Sequence, residues 1–137
     1  MTSSNIDQGV IRFSSPFSFD DTVKRLLAAF RERGIKVFAT IDQQAEAITV
    51  SLSMPPTTLI LFGNPQAGTP LMLDNPASGL DLPLKALIVE EEPDHVDVFI
   101  NTAKYVIDRH TLPHGLEANL LPAEKLIANV LEVSAEK

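Results

Sequence analysis

The chain has 137 residues, 45% hydrophobic and 21% charged, with a formal net charge of −7; that length fits one domain, which buries roughly two-thirds of its unfolded surface without disulfides or a structural metal. It contains no cysteine, which excludes disulfides, thiolate zinc sites, iron–sulfur clusters and cysteine nucleophiles. The acidic balance disfavours nucleic acid and anionic membranes as partners, and runs such as LILF and ALIV are far too short to span a bilayer.

The start, MTSSNIDQG, is polar and lacks the basic-then-apolar pattern of a signal peptide, so a cytoplasmic location is expected. Val10 to Ser14 alternates as a strand, broken by Ser15-Pro16. A long helix follows, with Ser18 three residues before Asp21 as a capping-box variant. Its stripe is Phe19, Val23, Leu26, Leu27 and Phe30, and Gly34 stops it. Ile35 to Asp42 alternates as a half-covered strand with Ile35, Val37, Ala39 and Ile41 on one side. From Gln43 to Met54 the signals conflict: QQAEA favours a helical turn and ITVSLS alternates as a strand.

Thr57 to Phe62, after Pro55-Pro56, predicts a strand. Leu84 to Glu91 and His95 to Asn101 predict an antiparallel hairpin turning at Glu92-Pro93-Asp94, with Pro pre-set for the turn. Asn101 is expected to cap a short helical segment, TAKYVIDRH. Beyond Pro113 and Gly115, residues Leu116 to Val133 read as a helix with Leu120, Leu126, Ile127, Val130 and Leu131 on its apolar side. Pro122 predicts either two pieces or a helix restarting at that residue. The expectation is a single α+β domain over 1–137, with its core at about 10–133. A mainly antiparallel sheet of about five strands in β-α-β4-α order carries the long N-terminal helix and the C-terminal helix on one face.

The stretch FGNPQAGTPLM, Phe62 to Met72, reads as a Gly/Pro-rich loop. Two glycines five apart and a hydroxyl echo a phosphate-binding loop, but Thr69-Pro70 stands where Lys-Ser/Thr is required. A weaker anion site remains open: Thr69 could cap a helix starting at Pro70, and Gly63 and Gly68 could let backbone approach a ligand. The plainer reading is a strand exit, shaped by Asn64-Pro65 and Gly68, into a short helix whose Leu71 and Met72 fill core.

FGNPQAGTPLM, followed by NPASGLDLPLKALIVEEE, resembles the signature of domain-of-unknown-function family 302, small prokaryotic proteins. The blocks TVKRLLAAFRERGIKVFATIDQQAEA, MPPTTLILFGNP and NTAKYVIDRH extend the likeness over nearly the whole chain. The resemblance implies a β-α-β4-α arrangement related to the TATA-box-binding-protein fold, and a homodimer. It brings no established activity and no catalytic residues. Many members carry His after the strand that ends here in Ile41-Asp42, where this chain has Gln43.

His110 and His114 sit four apart near Asp108, a metal-gripping spacing only on an unbroken helix, and Pro113 and Gly115 argue for capping or surface histidines instead. Asp81 and Lys85 flank Leu82-Pro83-Leu84, as an ion pair or as neighbours of the Gly-rich loop. Three functions follow. One is a non-catalytic small-ligand or regulatory module binding a small anionic or polar ligand through Gly63, Asn64, Gly68, Thr69, Asp81 and Lys85. Another is a homodimeric interaction protein braced by 62–72. The third is an enzyme using Asp81, Lys85 or His110. No motif identifies a cofactor or a metal.

Overall fold

A computed structural model describes residues 3–135. Its strands are β1 (Ser3–Ile6), β2 (Val10–Ser15), β3 (Lys36–Asp42), β4 (Thr57–Gly63), β5 (Leu84–Glu92) and β6 (His95–Asn101). Its helices are α1 (Phe19–Glu32), α2 (Gln43–Thr49), α3 (Pro65–Asp74), α4 (Ala103–Arg109) and α5 (Glu117–Ala135), with short 3-10 turns at Asp7–Gly9, Pro76–Asp81 and His114–Leu116. The sheet is antiparallel throughout, in the order β1-β2-β6-β5-β4-β3. The β-α-β4-α order is therefore observed, with β1 added at one edge and α2, α3 and α4 inserted between its elements. The expected 1–137 domain takes in residues 1, 2, 136 and 137, which lie outside the described residues.

One face of the sheet makes the core. Phe13, Ile60, Phe62, Ala86, Ile88, Val96, Val98 and Ile100 alternate inward and meet Leu26 and Phe30 of α1 and Leu126, Ile127 and Leu131 of α5. The two helices of the basic plan thus share one face. A smaller cluster forms where α3, α4 and α5 converge, around Leu71, Val106, Ile107, Leu112 and Leu120.

Local chemistry explains the boundaries. The Ser18 hydroxyl accepts from the Asp21 N–H at 3.1 Å and caps α1. Thr22, fully buried, satisfies its hydroxyl on the Ser18 carbonyl at 2.7 Å and the Ser15 hydroxyl at 2.6 Å. Gly34, at φ +72, ends the helix in the left-handed region that glycine tolerates. In the β5–β6 hairpin Asp94 takes φ +64 behind Pro93, so the acidic tip is a tight turn.

Several expectations are corrected. The segment from Gln43, open to either on sequence, takes the helix that QQAEA favours because the Asp42 carboxylate accepts from the Ala45 N–H at 2.9 Å, and Ser51 at φ +64 keeps ITVSLS from forming the alternative strand. The cap of α4 is Thr102, whose hydroxyl accepts from the Tyr105 N–H at 3.0 Å, and not Asn101, which ends β6. Pro122 lies inside one continuous α5. It sits near the start, where its missing N–H removes a single bond of the ladder, and Leu120 on one side and Ile127 on the other are both buried.

The last correction concerns β3. Val37 faces Phe62, but a bulge at Phe38 makes Ala39 the partner of Leu61 and Ile41 the partner of Leu59. Directly opposed residues share a face, so Ala39 and Ile41 leave the core side on which Ile35 and Val37 pack. The even alternation predicted over Ile35, Val37, Ala39 and Ile41 is broken there.

Candidate ligand cleft

β4 ends at Gly63, and the chain passes into a helix, as the plainer reading expects. That helix, α3, already begins at Pro65, so the stretch is not a loop, and of the two residues expected to fill core Leu71 is buried while Met72 is exposed. Pro65 at the first helical position has the φ a helix needs, and Asn64 before it is a favoured cap. The Asn64 side-chain oxygen accepts from the Gln66 N–H at 2.9 Å, and its carbonyl accepts from Ala67 and Gly68, each at 2.9 Å. Thr69 is therefore not a cap, and the helix does not begin at Pro70; both lie inside it. The anion reading on free N–H groups of TPLML loses its donors. Pro65 has none to give, and the next three are already bonded.

Beside α3 opens a cleft of about 620 Å³, within the range of small-molecule sites. One wall is α3, through Ala67, Gly68, Thr69 and Met72. The others are the strand ends at Gly63 and Leu82–Leu84, α5 through Asn119, Leu120 and Leu126, and the α1–β3 junction through Arg33, Ile35 and Phe38. The Asn119 amide donates to the Ala67 carbonyl at 3.0 Å and ties the α5 wall to the α3 wall. A side chain at Gly68 would point across the space, since a Cβ there meets only Leu82 Cδ1, at 3.8 Å.

Gly63, Asn64, Gly68 and Thr69 thus line one cleft. Asp81 and Lys85 do not. They border a separate crevice of about 10 Å³, room for about one water. They form no ion pair with each other among the described residues; Asp81 instead accepts from Arg109 at 3.0 Å and meets His110 Nε2 at 2.5 Å. Asn75 adds a bond from its amide to the His110 carbonyl at 2.9 Å. Together these contacts fasten the Pro76–Asp81 turn to the end of α4. His110 is accordingly a buried cap residue, and no group of three or more metal-ligating side chains occurs among the described residues.

Phe38, Arg33, Leu82 and Asn119 were not singled out from the sequence. Phe38 falls on the polar phase of an alternating strand, and only the bulge brings its ring against Gly63, where a Cβ would lie 3.7 Å from Phe38 Cε2. A large apolar residue at a polar-phase position was the available signal.

The family model described as domain of unknown function DUF302 matches residues 11–133. The chain belongs to the DUF302 family. A crystal structure of an uncharacterized conserved DUF302 protein from Bacillus stearothermophilus is similar with a TM-score of 0.76 over 90% of this chain and 96% of that one, at 17% identity. At that identity the likeness concerns the fold alone. Among curated proteins, the fluoride-specific ion channel FluC 1 of Brucella suis biovar 1 (strain 1330) is 40% identical over 115 residues, 84% of this chain and 44% of the channel. FluC 1 of Brucella abortus biovar 1 (strain 9-941) is also 40% identical, with 42% of its length covered. The DUF302 chain spans less than half the length of these relatives. No helix among its described residues is long and apolar enough to cross a membrane.

Proposed function

We propose that this DUF302 chain is a non-catalytic small-ligand or regulatory binding module whose site is the cleft beside α3. The observation that carries this reading is a cleft of about 620 Å³ built by the most distinctive stretch of the sequence, Gly63 to Met72. Phe38 at 46% and Met72 at 37% exposure stand at it, large apolar groups that a bound molecule would take from water. Among the described residues no nucleophile–base pair lines the cleft, and the Asp81–His110 pair lies outside its lining in a structural contact. The Brucella relatives fit the same reading. They are named as ion channels and share with this chain only 115 residues, under half their length, and in this proposal that shared part is the binding module. A cytoplasmic location is part of the same proposal, in keeping with the polar character of MTSSNIDQG.

The fluorescent probe 1-anilinonaphthalene-8-sulfonate tests the site. It should bind saturably, one molecule per chain, and Gly68→Leu should weaken it at least about tenfold by filling the cleft from a helix position. Non-saturating binding, or an unchanged affinity in Gly68→Leu, would sink the proposal.

A second reading rests on Ile48, Val50 and Leu52, which are 65%, 64% and 66% exposed in and after α2. That helix follows β3, a strand at the sheet edge that pairs, among the described residues, with β4 alone. Homodimerisation would cover them, with α3 bracing the fold through its buried Leu71. Sedimentation at micromolar concentration should then give a dimer, dissociated by Leu52→Asp. A monomeric parent chain retires this reading.

A further inference from the structure

The cleft has an uneven chemistry that narrows what it takes. The chain carries 18 acidic residues against 11 Lys and Arg, yet among the described residues no acidic side chain lines the cleft and one basic one, Arg33, does. Arg33 follows the last turn of α1 and makes no ion pair among the described residues. The rest of the lining is mainly apolar, with Phe38, Met72, Leu84, Leu120 and Leu126 as its larger side chains. Asn64 spends its side-chain oxygen on the Gln66 N–H, which leaves its amide nitrogen as a donor without a partner among the described residues.

We infer that the cleft binds an amphipathic monocarboxylate, its apolar body against Phe38, Met72 and Leu120 and its carboxylate against the Arg33 guanidinium. The inference rests on the binding-module reading and adds the class of ligand. A guanidinium offers a planar fork that matches a carboxylate. A phosphate dianion is a poorer match, because it calls for further donors and the first N–H groups of α3 are already bonded. A cation has no acidic partner in the lining. The apolar lining supplies affinity by taking surface out of water. The Arg33 guanidinium, the one charged side chain in the lining among the described residues, selects the head group, with the Lys36 ammonium 5.0 Å from the Phe38 ring keeping that edge positive.

Calorimetric titration with decanoate, decanol and decyltrimethylammonium separates head group from body. On the parent chain decanoate should bind about fivefold tighter than decanol, the factor corresponding to about 1 kcal/mol for a solvent-exposed ion pair. The cationic chain should bind more weakly than either. Arg33→Gln should erase the preference for decanoate while leaving decanol binding intact, which also shows that the variant is folded. Gly68→Leu should remove binding of both. Equal affinity for decanoate and decanol, with both lost in Gly68→Leu, overturns the carboxylate while the cleft stands. Tighter binding of decyltrimethylammonium overturns it as well. If none of the three binds, the carboxylate and the cleft reading fall together.

Discussion

Phe30→Ala should lower the unfolding free energy by about 3–5 kcal/mol in urea titration. Phe30 is fully buried on α1, and its ring stacks on Phe62 of β4 with centroids 4.3 Å apart and planes 18° from parallel. Truncation removes a large apolar group and leaves a void that close-packed neighbours such as Leu26 and Ile60 fill only in part. Against a total stability of about 5–15 kcal/mol the loss is large. Phe30→Leu keeps most of the volume and should lose clearly less. A double-mutant cycle with Phe62→Leu should return about 0.5–1.5 kcal/mol of coupling from the stacked pair. A loss below about 1.5 kcal/mol for Phe30→Ala would mean that α1 settles onto the sheet without that ring.

Gly9→Ala should destabilise by about 2–5 kcal/mol, from two causes that can be separated. Gly9 has φ +80, a region that charges an alanine roughly 1–2 kcal/mol. Its Cβ would also lie 2.2 Å from Tyr105 Cγ, an overlap of the kind that costs about 1–3 kcal/mol. The backbone has little freedom to withdraw, because the Gly9 carbonyl accepts from the Thr102 N–H at 2.9 Å and the Asn101 amide at 3.4 Å. In a Tyr105→Ala background the steric part should vanish, and Gly9→Ala should then lose only about 1–2 kcal/mol. An undiminished loss there would place the whole penalty in the backbone.

Where the determinants are local, the sequence was readable. α1 announces itself through Ser18, Asp21, the Leu26–Phe30 spacing and Gly34, and each of these acts within one turn of its own position. The β5–β6 hairpin is equally local, since Pro93-Asp94 shapes its own turn. The bulge at Phe38 is different. It is decided by how β3 pairs with β4, and the one mark in KVFATID is a large apolar residue on the polar phase, which does not by itself specify a bulge. The start of α3 at Pro65 was hidden by Pro70, which argues locally against a helix running through it at about 3 kcal/mol. Burial of Leu71 among Ala103, Val106 and Ile107 offsets that penalty from a part of the chain about thirty residues away.

The cleft divides along the same line. Gly63 to Thr69 stood out because Gly, Pro and Asn cluster there, so one wall was legible. Arg33, Leu82 and Asn119 are unremarkable in their own neighbourhoods and become lining only when β3, β5 and α5 converge. Asp81 was drawn to the loop by nearness in sequence, and the fold gives it to Arg109 and His110 instead. Charge complementarity across two helices is a long-range property, and no window of sequence contains it.

The strand order has a consequence during synthesis. β2 is made early, yet in the sheet it lies beside β6, and the Asn101 side chain donates to the Gly9 carbonyl, 92 residues away. While the chain is still growing, β3, β4, β5 and β6 can pair in succession as each emerges, whereas β2 must wait for the last of them. Phe13 therefore remains without its neighbours Val98 and Ile100 until most of the chain has left the ribosome. Such high contact order slows folding and lengthens exposure of apolar surface. The sheet is completed only when its first long strand joins its last.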